Sequence, residues 1–429
     1  MLSSVFRPFR PRVVRVGLPA FVIALLVLSG CDLTEETSQP PQSPNFEVTN
    51  DLESRITDLS GETRSTVARV TATAEESDFS VNGVARVEPP EVEKNGNSYQ
   101  ARASHLSFND EGDGRVFVGY KIFGAPWGGG IDVLDADNPK NLRPTNSIET
   151  DNLDVQEVID GPDAGAEYVA GALETRKENR SPAALTKLSF EDSNGDISVT
   201  HRRLSRHVAK SVVNAPSGDS RHDLYVVTDG NSLYRYDSSL GDELKQTVSE
   251  DVEFSSITAH QDDLIMLTKS GELWRSDFSS ANAPEKSDLT LEESEIRPLG
   301  IARLTASNHE SSSDNFVYAA LNTGGFRVLN DDASEELFRR TEGDYTSVSA
   351  TDESDYLYAS RTDGAVEVYE FDGNNSPSWS EDPIATINTA GYQGGSSAGQ
   401  SNQVLATGDY LYIANSSGGT LVLEVNDGS

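Results

Sequence analysis

The sequence predicts an all-β fold, a β-propeller of seven four-stranded blades, and three observations predict it. Short runs of aromatic and β-branched residues bounded by Gly, Asn, Asp and Ser dominate from residue 79 onward. One hairpin pattern recurs through that stretch: an aromatic-aliphatic strand, a tight polar or glycine turn, and a second strand that often leaves on an acid. The copies follow one another at about 40 to 55 residues, a period that includes the four-stranded propeller blade.

Each element can be justified in turn. The regular copies are Val116–Val118 with Gly130–Asp135, Leu224–Val227 with Leu233–Asp237, and Leu264–Leu267 with Glu272–Asp277. Three more are Phe316–Ala319 with Gly325–Asn330, Tyr356–Ala359 with Ala365–Phe371, and Tyr410–Ala414 with Thr420–Val425. A less regular seventh, Tyr168–Leu173 with Ala184–Phe190, is split by a charged insertion around Arg176–Arg180. Inner strands precede several pairs, at Ser104–Phe108, Val155–Ile159, Phe254–Ala259, Thr346–Ala350 and Gln403–Ala406. Outer strands follow at Ile197–Arg202, Leu244–Val248, Glu336–Arg340 and Pro383–Ile387. The last copy has no outer strand, and Phe79–Val87 has no blade of its own. That segment is expected to close the ring, giving a propeller over 79–429 without a long open sheet edge. A sandwich would rarely give seven equivalent hairpins, and a β-helix repeat would be much shorter.

The N-terminus reads differently. Arg7, Arg10, Arg12 and Arg15 form a basic stretch without an acid, an apolar run covers Leu18–Leu28, and Leu28-Ser-Gly-Cys31 follows. This order is that of a secretory signal over 1–30, and the run is short of the roughly 20 residues of a membrane-spanning helix. Leu-Ser-Gly-Cys resembles the lipobox of bacterial lipoproteins. The resemblance implies a diacylglycerol on Cys31, which becomes the first residue, and so a membrane partner and a place in the cell envelope outside the cytoplasm. Cys31 is the only cysteine, so no intrachain disulfide can form. Residues 31–78 read as the lipidated cysteine and a polar tether, with Pro40, Pro41 and Pro44. A short helix is expected within 50–76, where Asn50 and Glu53 have the spacing of a capping box.

The chain carries 70 acids against 34 bases, a formal charge of −36. Loss of residues 1–30 removes four arginines and no acid, which leaves −40. Such a surface repels nucleic acid and anionic headgroups. The acids are spread along the chain, which is expected of a protein adapted to high salt, where screening relieves self-repulsion.

Gly130-Ile-Asp-Val-Leu-Asp-Ala-Asp-Asn-Pro139 resembles a blade of the LVIVD-repeat family, and Gly325–Asn330 and Gly419–Val425 are partial matches. The resemblance implies a propeller of bacterial surface or secreted proteins and carries no activity. Gly-His and Trp-Asp pairs of the WD40 kind are absent.

Candidate sites are few. Asp192, Asn194 and Asp196 match the opening of a calcium loop, although Asn194-Gly195 is also a strong hairpin turn, the better reading, and Arg203 stands where an EF-hand glutamate would. No other cofactor is implied. Asn109–Asp113 is a weaker match to the same loop. Of six histidines only His105 and His260 fall on inner strands, too few for a metal centre. The loop Gly124–Gly130 carries Trp127 among glycines, which suits either a binding anchor or a cover over a blade end. Tyr392 lies in a second flexible loop between the last two blades. No hydrolase elbow, zincin helix, P-loop or dinucleotide motif is present. The expectation is a non-enzymatic scaffold that binds an envelope protein or glycan. The alternative is a hydrolase or lyase of envelope or environmental polysaccharide.

Overall fold

Inner-strand residues with polar side chains, each followed by an aliphatic residue, set the architecture of this computed structural model. It describes residues 43–426 except 50, 61–68, 73–78, 110–113, 124–125, 143, 162–164, 175–181, 191–196, 205–207, 218–220, 242, 249–251, 261–262, 278–282, 292–301, 307–315, 351–355, 373–377 and 390–399. The segment 1–30 read as a signal and Cys31 fall outside the described residues, as do Asp192, Asn194, Asp196 and Tyr392.

The chain forms seven four-stranded antiparallel blades in sequence order. Their inner strands are Arg102–Asn109, Leu153–Asp160, Ala209–Ser217, Phe254–His260, Arg303–Ala306, Tyr345–Ala350 and Gln403–Thr407. Each inner strand packs against the next, and the seventh against the first, so the ring is continuous. The core is seven apolar wedges, one at each junction between blades. Strands buried on both faces explain why the second strands of the blades read as near-continuous apolar runs such as Leu224–Val227.

Blade 7 is completed from the other end of the chain. Ser80–Val87 pairs antiparallel with Thr420–Asn426. Val81 packs into the wedge between blades 6 and 7, and Val84, Ala85 and Val87 into the wedge between blades 7 and 1. Gly419 shows how closely this strand approaches. It has φ +80°, and an added Cβ would lie 2.0 Å from the Val87 carbonyl. Gly325 in blade 5 has the same φ, and there the conflict is with Arg340 of the outer strand. Val87 thus occupies in blade 7 the place that Arg340 occupies in blade 5.

The segment read as a tether is, from Phe46, part of the sheets. Phe46–Thr49 pairs outside Pro144–Thr150 of blade 1, Ile56–Asp58 pairs with the closing strand, and Arg69–Ala72 pairs with Ala385–Asn388 of blade 6. A one-turn helix, Leu52–Arg55, links the first two; its N-cap residue is Asp51, which makes no side-chain cap bond. Edge strands of three or four residues satisfy backbone groups without an apolar alternation, which is why composition suggested a linker. Arg55 pins this strap. It is buried and forms a bidentate pair with fully buried Asp132, at 2.6 and 3.2 Å, while donating to the Glu88 carbonyl and Ser147. A further hairpin, Glu91–Lys94 with Asn97–Gln100, turns on Asn95-Gly96, both at positive φ.

Candidate binding site at the channel mouth

Every inner strand carries one equivalent position, defined by its partner on the second strand: His105, Glu157, Ser211, Ser256, Arg303, Ser347 and Gln403. In five blades the side chain there accepts the backbone N–H of the aliphatic residue in the next blade. The pairs are Glu157 with Val212 (2.7 Å), Ser211 with Ile257 (3.2 Å), Ser256 with Leu304 (3.1 Å), Ser347 with Val404 (2.8 Å) and Gln403 with Leu106 (2.9 Å). These bonds satisfy inner-strand donors that have no further strand to pair with.

Arg303 and His105 depart from the rule. A guanidinium accepts no hydrogen bond. Arg303 instead reaches past blade 6, donating to Gln403 Oε1 of blade 7 and lying 3.5 Å from the Ser104 carbonyl of blade 1. His105 is 2% exposed, and neither ring nitrogen has a hydrogen-bond partner of good geometry. Its Nε2 lies 3.9 Å from Glu157 Oε1. Burial, and then the charge of Arg303, hold the imidazole well below its usual range, so it is neutral at pH 7. Burial pushes Glu157 up to about 7.

One step toward the mouth, five inner strands carry a β-bulge: the register slips at Ser104, Gln156, Lys210, Ser255 and Thr346. Bulges re-aim side chains and recur beside functional sites. Ser104, Ser255 and Thr346 turn their hydroxyls onto the opposite strand, donating to the carbonyls of Gly119, Leu267 and Ser360. Gln156 and Lys210 are too long to do so. Gln156 accepts instead from Lys121 Nζ at 3.2 Å. Lys121 is pushed down to about 8 by burial, then by Lys210 and Arg303. Phe123 follows, 49% exposed, with Lys121 Nζ 5.2 Å and Arg102 Cζ 5.0 Å from its ring centroid. Asp154, pushed up to about 7 by burial, accepts from the Gly128 N–H. The polar departures from the blade pattern therefore gather at one mouth of the channel, over blades 1 to 3.

Trp127 stands on the same face and is half-buried. Its carbonyl accepts from Lys94, which also donates to the Asp151 carbonyl and pairs with Glu174 at 2.6 Å. The neighbouring glycines serve packing inside the blade; a Cβ on Gly129 would meet the Tyr120 carbonyl at 2.1 Å. His260 ends its strand, well removed in register from His105. No cluster of three metal-ligating side chains occurs among the described residues. Phe123, Glu157, Lys210 and Arg303 escaped the sequence reading. Aligning the seven inner strands on their polar, aliphatic pair finds Glu157, Lys210 and Arg303, whereas Phe123 lies past the second strand of blade 1, outside that alignment.

The raised carboxyls give a pH dependence. Besides Glu157 and Asp154, Glu167 is pushed up to about 8 by burial and then by Asp160. The unfolded chain releases these protons near pH 4, whereas the native chain holds them to about pH 7 or above. Their stabilisation is complete below the unfolded value and is lost as pH rises through the folded one. Buried His105 and His260, whose folded values are depressed, oppose this, losing stability as pH falls through 6.5. The melting temperature is expected to fall from pH 5 to pH 8, each carboxyl contributing at most about 1.4 kcal/mol per pH unit. Glu157→Gln and Glu167→Gln should each flatten the slope. Slopes unchanged in both variants would contradict the assignment.

No family model matches the chain, and no curated relative matches it. Among solved structures, the crystal structure of Chaetomium thermophilum Raptor is similar, with a TM-score of 0.51 at 12% identity. The match covers 76% of this chain and 28% of that one, so this chain matches less than a third of that protein's length. The likeness is one of fold: this chain is a seven-bladed β-propeller.

Proposed function

We propose that this chain is a lipid-anchored lipoprotein outside the cytoplasm whose propeller is a non-enzymatic binding module of the cell envelope. The observation that carries the binding reading is the channel mouth. There an exposed Phe123 lies against Arg102 and Lys121, while the carboxylates of Asp154 and Glu157 accept backbone N–H groups. A rigid ring presenting one exposed aromatic beside the partly exposed Arg102 is suited to hold a ligand. The lipobox resemblance at Leu28–Cys31 supports the anchor, and the LVIVD-like segment Gly130–Pro139 supports a surface or secreted role. Cross-linked pull-down from the native envelope in molar salt, read by mass spectrometry, tests the reading. A stoichiometric protein or glycan partner, with Cys31→Ser releasing the protein from membranes, is the expected result. Recovery of the protein alone, or membrane retention of Cys31→Ser, would refute the corresponding half.

One observation favours a second reading, that of a polysaccharide hydrolase or lyase. Glu157 and Asp154 are both pushed up to about 7 beside the channel, a value that suits proton transfer at neutral pH. Turnover of a polysaccharide that Glu157→Gln abolishes without loss of binding would establish it.

The charge of −36 also supports a source rich in salt. Raising sodium chloride from about 0.1 to about 2 M shortens the Debye length from about 10 Å to about 2–3 Å and should raise the melting temperature. A flat or falling response would exclude salt adaptation. Calcium at Asp192, Asn194 and Asp196 remains part of the same proposal, and chelation that leaves melting unchanged would remove it.

A further inference from the structure

We infer that the channel mouth over blades 1 to 3 binds a saccharide bearing carboxylate groups. The inference rests on the binding reading above and names its ligand class. Three cations meet there, and none of Arg102, Lys121 and Lys210 has an acidic partner within 4 Å among the described residues. Elsewhere Lys94, Lys269, Arg235, Arg275 and Arg361 are all in ion pairs. Lys121 is buried, and its hydrogen bond goes to the neutral Gln156 amide rather than to a carboxylate. The mouth therefore holds three cations without a contacting carboxylate, offset only at longer range by Asp154 near Lys121 and by Asp229 and Glu253 near Lys210.

The ligand class follows from what surrounds the charge. Phe123 offers exposed apolar surface against which the C–H groups of a pyranose can pack, its ring already lying against Arg102 and Lys121, and the Gln156 amide is a directional partner for hydroxyls. A protein partner would need a broader apolar core, yet the exposed large hydrophobic residues in the described structure are Val48, Phe108 and Phe123 alone. A free phosphate is favoured by backbone N–H groups at helix ends or nests, and this mouth is built from strand ends with side-chain donors. The serine and threonine bulges of blades 1, 4 and 6 bond to their own sheets, so the free donors lie on one side of the mouth, as an elongated ligand requires.

Calorimetry on the full chain with oligogalacturonate, its methyl ester and inorganic phosphate decides the matter. The acid is expected to bind, its ester about tenfold more weakly, the worth of one charge-assisted hydrogen bond. Lys210→Gln and Phe123→Ala, both at positions that solvent reaches, should each weaken the acid severalfold with melting unchanged. Lys121→Met is the stronger but riskier variant because that side chain is buried. Equal binding of acid and ester, no binding of either, or affinity unmoved by Lys210→Gln and Phe123→Ala would overturn the assignment. Phosphate displacing the oligomer at equal concentration would overturn it in favour of a simple anion site. A stoichiometric protein partner without saccharide affinity would sink this inference and leave the binding reading intact. Cleavage of a bound oligomer would keep the site and end the non-enzymatic reading.

Discussion

Deleting residues 79–87 is expected to abolish the folded propeller rather than weaken it. The closing strand makes seven register pairs with Thr420–Asn426. It also places Val81, Val84, Ala85 and Val87, all under 9% exposed, in the wedges on both sides of blade 7. Burying a valine contributes about 1.5 to 3 kcal/mol, so the strand's share rivals the 5–15 kcal/mol that stabilises a typical domain. The deletion also opens the edge of Thr420–Asn426, which invites association. A single change should act similarly: Val87→Asp buries an unpaired carboxylate at a fully enclosed position and should cost more than about 4 kcal/mol. Gly419→Ala pushes the same two strands apart. Denaturant melts and light scattering check all three. A deletion variant that stays monomeric with unchanged melting would show that the strand is dispensable.

Arg303→Met is the second large effect. The guanidinium ties blades 5, 7 and 1 together through Gln403 and the Ser104 carbonyl, and its charge favours ionised Glu157. Breaking a contacting buried ion pair costs about 3–5 kcal/mol, which is an upper bound here because Arg303 and Glu157 interact without an ion pair within 4 Å. Glu157 can escape by taking a proton, so the loss should be largest at pH 8 and much smaller at pH 5. Adding Glu157→Gln should restore part of the stability at pH 8, and a double-mutant cycle would read the coupling. A pH-independent loss, or no rescue, would mean that Arg303 acts through packing alone.

The blades were legible in the sequence because their second and third strands lie between sheets and must be apolar on both faces. Inner strands were legible only in part. Ala209–Ser217 and Arg303–Ala306 carry Lys, Ser, Asn, Arg and Thr, since their side chains reach along the channel and across junctions rather than into a core. Asn95-Gly96 announced a hairpin that was not read. The strap at 46–72 was hidden by brevity and polarity. At the candidate site His105 was placed on its strand, but Glu157 is one acid among 70, and only comparison between blades separates it from the rest.

The strap also decides how the molecule meets mechanical load. A pull on the chain ahead of residue 43 first meets the bonds of Ser43 and Asn45 with Asn152, then four edge pairs at Phe46–Thr49, and next the Arg55–Asp132 clasp. The seam where the first and last strands of the ring join lies behind them all. Tension applied there would thus be spent on a peripheral latch that can re-form, and the ring with its channel would keep its shape while the latch yields.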